Sequence, residues 1–222
     1  MKRDSKTLHA SLALILCAAV PHASAAQAKR RPSQAQPPAR QSAPALNSER
    51  LREAGALIEA GRLEEAETFV RNLISSAPRD PAAHTLLGVV LDQRGRPQDA
   101  EREFREALRL DPDSAPTHSN LGVLLARTGR SDEAVKSFER VLQLAPDHAQ
   151  ATYNLGALYA ARGDYKRALP LLERAAGVRS GDPAEPLSGR RELPALLMLV
   201  TAYLREGRKK DAEPVIGVIE YH

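Results

Sequence analysis

The chain has 222 residues, of which 42% are hydrophobic and 27% charged, with 4% aromatic residues, no Trp and a single Cys. These proportions suit a soluble folded protein whose core is filled by small and aliphatic side chains rather than by bulky rings. The net charge of +4 is local: Lys2, Arg3 and Lys6 against Asp4 give +2 over residues 1–25, Lys29, Arg30, Arg31 and Arg40 give +4 over 26–46, and the other 176 residues sum to −2. The folded part therefore has no basic excess, which excludes nucleic acid as a partner.

Residues 1–25 read as a signal peptide. Met1 to Lys6 supplies positive charge, Ala10 to Val20 is an apolar run, and Ala23-Ser24-Ala25 has the small-x-small form of a cleavage site. The run is too short to span a bilayer with ease, so no stable membrane span is expected after cleavage behind Ala25. Export to the periplasm is the expected address, with secretion or tethering by an uncleaved leader as the alternatives. Cys17 follows Leu16, where a bacterial lipobox has a small residue. Without Cys17 the mature chain has neither disulfide nor thiol chemistry. Residues 26–46, rich in Ala, Pro, Gln and Arg, show no apolar periodicity and read as a disordered linker.

From residue 47 the chain repeats itself. TLLGVVLDQRGRPQDAEREFREALRLDP and SNLGVLLARTGRSDEAVKSFERVLQLAP lie 34 residues apart and match without a gap. A fixed period of this length marks stacked units that cannot bury their apolar faces singly. The phase gives units at 47–80, 81–114, 115–148 and 149–182, a loop at 183–192, and a degenerate unit at 193–222. Each unit has two runs with apolar residues at three- and four-residue spacing around a Gly turn, which predicts helix–turn–helix. First helices are predicted near 48–60, 82–94, 116–128, 150–162 and 194–206, and second helices near 64–76, 98–110, 132–144, 165–177 and 208–220. Gly61, Gly95, Gly129, Gly163 and Gly207 stand where the first helices stop, a position that favours left-handed glycine. Pro170 and Pro214 are expected in the first turns of second helices, where Pro costs little.

The motif residues Leu87, Gly88, Ala100, Phe104, Ala107 and Pro112, with Leu121, Gly122, Ala134, Phe138 and Pro146 and with Leu155, Gly156, Tyr159, Ala168 and Ala175, resemble the tetratricopeptide-repeat (TPR) family. The resemblance implies an all-α fold, a right-handed α-solenoid of stacked helix–turn–helix repeats. The small pairs Gly88 with Ala100, Gly122 with Ala134 and Gly156 with Ala168 are expected to let paired helices interlock. Departures gather at the ends: Glu53-Ala54 replaces Leu-Gly in the first unit, as in a polar cap, and Val200 takes the small position in the fifth and should force its helices apart. With no polar helix to cover that last pair, apolar surface is expected near Leu197, Met198, Val215 and Val218. Ser180 to Glu192 reads as an exposed loop.

No H-E-x-x-H, G-x-S-x-G, phosphate-cradling Gly loop or Cys pair is present, so no enzyme, metal or cofactor is expected. His84 and His118 share one phase and read as packing residues. In the family, the first helices line a groove that takes a peptide or a partner helix. The resemblance assigns Thr85, Val89 and Asp92 from the second unit to this groove, then Ser119, Asn120, Val123 and Arg127 from the third. Tyr153, Asn154 and Ala157 follow from the fourth unit, and Leu197, Met198 and Thr201 from the fifth. Asn120 and Asn154 repeat at one phase, and an Asn amide both donates to and accepts from a peptide backbone; the competing reading has these amides bonding within their own helix surface. With Arg127 as the one basic residue among the middle-unit groove positions, a clamp for two carboxylates is disfavoured. The expected function is a non-enzymatic protein-interaction scaffold of the bacterial cell envelope. The alternatives are self-association of a homo-oligomer through residues 193–222, or an accessory subunit of an envelope enzyme or of a polysaccharide or secretion machine.

Overall fold

The computed structural model describes residues 43–178 and 193–220. The leader, most of the linker and the 183–192 loop lie outside them. The described residues form ten helices and no strand: α1 (Ala43–Glu59), α2 (Leu63–Ser76), α3 (Pro81–Gln93), α4 (Pro97–Leu110), α5 (Ala115–Arg127), α6 (Ser131–Leu144), α7 (Ala149–Ala161), α8 (Tyr165–Ala175), α9 (Leu193–Arg205) and α10 (Lys209–Glu220). Each helix packs on its neighbours in sequence, and the first helices α1, α3, α5, α7 and α9 also touch in succession. The fold is an all-α repeat solenoid. Helix ends fall within two residues of the predicted ones, except that α1 begins at Ala43, inside the stretch read as linker.

The turn within each unit is one device used five times. Gly61, Gly95, Gly129, Gly163 and Gly207 have φ between 70° and 81°. This left-handed residue lets the next N–H reach back over the helix end: Arg62 N–H donates to Leu57 O at 2.9 Å, Arg96 to Leu91 at 2.9 Å, Arg130 to Leu125 at 2.8 Å, Asp164 to Tyr159 at 3.0 Å and Arg208 to Tyr203 at 2.8 Å. The bond satisfies carbonyls that a helix terminus otherwise leaves open.

A close approach of side chain to backbone holds the helix pairs of units two to four together. A methyl group placed on Gly88 would lie 2.5 Å from Phe104 Cε1, one on Gly122 2.9 Å from the Phe138 ring, and one on Gly156 3.0 Å from Leu172. The atoms nearest each missing Cβ thus belong to the large residue of the second helix, while Ala100, Ala134 and Ala168 are fully buried in the same core. Phe104 is 1% exposed and Phe138 and Leu172 are fully buried, so no direction of retreat is open to them. In the fifth unit Val200 replaces the glycine and Ile216 the phenylalanine, and α9 and α10 pack less intimately than the pairs of units two to four.

Two expectations are corrected. Val215 is 2% exposed, because Ala212, Val215 and Ile219 recur at helical spacing and turn together onto the core; Leu197 is exposed as expected, together with Leu193, Leu204 and Ile216, Met198 is half-buried, and the side chain of Val218 lies outside the described ones. Pro170 and Pro214 sit at the sixth residue of α8 and α10, one turn further in than expected. Both occupy the same repeat position on the less buried side of the helix, where the lost backbone bond opens toward solvent.

Arginines that follow the turn glycines stitch units together. Arg96 Nε donates to Asp99 of its own helix at 2.7 Å while Nη1 reaches Glu67 of the preceding unit at 3.0 Å. Arg130 repeats this with Glu133 through Nε and Nη2, and with Glu101 through Nη1. Glu67, only 2% exposed, also meets Arg71 and Arg94. At the next junction both partners change together: Val135 stands in the acceptor's place and Asp164 in the arginine's.

Gly122→Ala should destabilise the fold by about 1–3 kcal/mol in urea unfolding, because the buried Phe138 ring cannot yield. Gly55→Ala, where an added methyl meets nothing within 4 Å, should instead stabilise it by roughly 0.5–1 kcal/mol. Hydrogen bonds from Arg62, Arg96, Arg109, Arg130 and Arg167 hold the carboxyls of Glu65, Asp99, Glu106, Glu133 and Asp164 below the usual range. A carboxylate depressed in the folded state stabilises it above its unfolded pKa, about 4, and ceases to as the pH falls through the folded value. The melting temperature should therefore drop as the pH falls below about 4, and less steeply at high salt, by circular dichroism.

Candidate functional site

The face formed by α3, α5, α7 and α9 changes character along its length. At the α3 end it is polar and largely self-satisfied. Thr85 donates its hydroxyl to Pro81 O at 2.9 Å and lies 2.7 Å from the Thr117 hydroxyl, which lies 2.7 Å from that of Ser114. Asp92 and Arg127 form an ion pair between α3 and α5, so the basic residue of this face is already matched by a carboxylate. Val89 is half-buried against the core, Ser119 is half-buried, and Val123 is 42% exposed.

The two asparagines differ. Asn154 Oδ1 accepts a hydrogen bond from Gln150 Nε2 at 3.1 Å, within α7. Asn120 is half-buried and has no hydrogen-bond partner among the described residues. The acceptor of one amide is thus engaged on its own helix surface, and the other amide is unengaged.

At the α9 end the face is apolar. Tyr153 and Ala157 of α7 converge with Leu197, Met198 and Thr201 of α9 on a hollow of about 440 Å³. Ala160, Ala161 and Ala202, with Pro194 and with Tyr165 at the start of α8, complete its wall. Thr201 donates its hydroxyl to Leu197 O at 2.9 Å, so it adds little free polarity, and among the described residues no charged side chain lines the hollow. Leu197 stands at the rim, 50% exposed. Five of the thirteen residues assigned from sequence meet here, while Thr85, Val89, Asp92, Ser119, Asn120, Val123, Arg127 and Asn154 lie outside it. Ala160 and Ala161 occupy the repeat positions of Asp92 and Gln93, so the groove phase carried the signal for them; small apolar side chains made them inconspicuous.

The wall of the hollow is anchored from behind. Tyr203 is 3% exposed, and its hydroxyl donates to Glu173 Oε1 of α8 at 2.8 Å, with the Arg208 guanidinium over its ring at 4.7 Å. Burial, then the bond to Glu173, pushes the phenol well above its ordinary pKa, so it stays a donor throughout the useful pH range. Tyr159 makes the same arrangement one unit earlier, donating to Glu139 at 2.7 Å beneath Arg167. Among the described residues no group of three or more His, Cys, Asp or Glu side chains could hold a metal, and no helix is long and apolar enough to cross a membrane.

Tetratricopeptide repeat family models match residues 51–115 and 113–180. The chain belongs to the tetratricopeptide-repeat family. Among solved structures it is similar to MamA from Desulfovibrio magneticus RS-1, at 20% identity over 78% of this chain and 93% of that one, with a TM-score of 0.63. It is similar also to Pseudomonas aeruginosa PilF, at 21% identity over 77% of this chain and 72% of that one, with a TM-score of 0.64. YrrB, a TPR protein with an unusual peptide-binding site, matches at 18% identity over 78% of this chain and 86% of that one, with a TM-score of 0.61. At these identities the likeness is one of fold. No curated protein matches the sequence.

Tyr203→Phe should cost about 1 kcal/mol in urea unfolding, because the buried Glu173 carboxylate loses a donor; Arg208, 3.7 Å from that carboxylate, limits the loss.

Proposed function

We propose that the chain is a non-enzymatic scaffold of the cell envelope that binds a segment of a partner protein along the α3–α9 face and anchors one large apolar side chain of that segment between α7 and α9. The tetratricopeptide fold is a protein-interaction scaffold, and its members are generally non-enzymatic. The observation that carries the finer reading is the uncharged hollow. It is concave, of a size that suits one or two large side chains, and rimmed by a half-exposed leucine. Peptide binding by YrrB, a protein of like fold, agrees with this use of the face. The unengaged Asn120 amide offers a donor and an acceptor to the backbone of the same segment. Placement in the envelope rests on the order of charge, apolar run and Ala23-Ser24-Ala25 at the N-terminus.

The test is cross-linking in cells that express the full chain, followed by fractionation and mass spectrometry. A partner joined to the native protein in the envelope fraction, at least tenfold reduced by Leu197→Asp at unchanged thermal stability, is the expected result. The same sample should show a mature chain beginning at Ala26. Equal capture by the variant would remove the hollow from the proposal, and an intact leader in a cytosolic protein would remove the envelope.

A further inference from the structure

The two ends of the solenoid carry complementary halves of the bridge that joins its first three units. At the first two junctions, though not at the third and fourth, where Val135 and Leu169 hold the acceptor position, the arginine after the turn glycine divides its guanidinium. Nε and its neighbouring amine hold the carboxylate three residues on, and Nη1 reaches the glutamate six residues past the preceding unit's glycine. Arg62, in the first unit, donates through Nε and Nη2 to Glu65 at 2.8 and 2.6 Å in the same way. Its Nη1 has no partner among the described residues. In the fifth unit the acceptor position, six residues past Gly207, is Glu213. It is exposed and has no ion-pair partner among the described residues; Gly217 stands where Arg71 and Arg105 flank the equivalent glutamates.

Apolar surface follows the same division. The position of Ile216 is buried in every unit that has a successor packed against it: Val70, Phe138 and Leu172 are fully buried and Phe104 is 1% exposed, but Ile216 is 36% exposed. Among the described helices α10 packs against α9 alone. At the other end a hollow of about 540 Å³ lies on the α1–α2 pair, with Leu57 and Phe69 in its wall among Glu53, Glu64, Glu65, Thr68 and Asn72, and with Arg62 at its edge. Leu57 is half-buried there, whereas its equivalents Leu91, Leu125, Tyr159 and Tyr203 are at most 4% exposed.

We infer that a second copy of this chain stacks head to tail on the first, the α10 face of one against the α1–α2 face of the next, with Glu213 accepting from Arg62 and Ile216 entering the hollow beside Leu57 and Phe69. The contact continues the geometry of the intramolecular junctions, in which Glu67 and Glu101 already receive such arginines. Because the two faces differ, the contact is heterologous and leaves a free face at each end, so it builds linear chains of copies rather than a closed dimer. A partner-binding face would then recur along the assembly.

Sedimentation velocity over rising concentration tests this on the protein isolated after expression of the full chain. Wild type should show a ladder of oligomers. Arg62→Glu and Glu213→Arg, both on exposed side chains, should each weaken association at least tenfold with unchanged circular dichroism. An equal mixture of the two variants should recover the ladder, because mixed copies meet with opposite charges at every junction. Ile216→Ser, which leaves the charges alone, should also weaken it. A single species at millimolar wild-type concentration, no effect of either reversal, or no recovery on mixing would overturn the inference. Loss with Glu213→Arg but not with Arg62→Glu would assign the fifth unit to an isologous dimer instead. Assembly only after deletion of residues 26–42 would assign the first-unit face to the upstream chain.

Discussion

The missing Cβ of Gly88, Gly122 and Gly156, filled by the large side chain of the second helix, is the constraint on which the architecture depends. A helix pair that interlocks this closely has one relative position, and repeating that position every 34 residues makes a solenoid rather than a bundle. In the fifth unit, where Val200 and Ile216 replace the pair, α9 and α10 pack less closely.

The turn that follows the first helix does a second job beyond reversing the chain. By bonding the residue after the glycine to the helix end, it sets the root of each arginine at the edge of its unit, facing the unit before. Individually the exposed pairs among them, such as Arg130 with Glu133, contribute little. Their value lies in register: a bidentate arginine holding one carboxylate and reaching for another is satisfied in one stacking arrangement. The joint change at Val135 and Asp164 shows the logic, since removal of the acceptor is matched by removal of the donor, and no orphaned charge remains at that junction.

The α3–α9 face acquires its gradient from the same repeat position occupied by different chemistry. Thr85, Ser119, Tyr153 and Leu197 share one phase, and pass from small and polar to large and apolar along the stack. At the polar end, cross-unit bonds such as Thr85 to Thr117 and Asp92 to Arg127 consume the groups that a ligand would need. At the apolar end nothing is consumed, because aliphatic side chains have no bond to satisfy and only burial to gain. The α7–α9 end of the face is therefore a concave apolar station.

The number of helices, their limits to within two residues, the left-handed glycines and the family were legible in the sequence, because all are local or periodic: glycine placement, capping and apolar spacing act within a turn or recur at a fixed interval. The start of α1 at Ala43 was not, since the Ala- and Pro-containing stretch before it lacks the apolar period that marks the later helices. The groove positions could be numbered from the phase, but their availability could not. Whether Asp92 was a free acid or the partner of Arg127, and whether Val215 or Ile216 met solvent, depended on which neighbour lay across the gap. Tertiary structure alone decided these, because such a side chain's partner and its exposure are set by residues of another helix, for Asp92 one 35 positions away in the chain and within bonding distance in space.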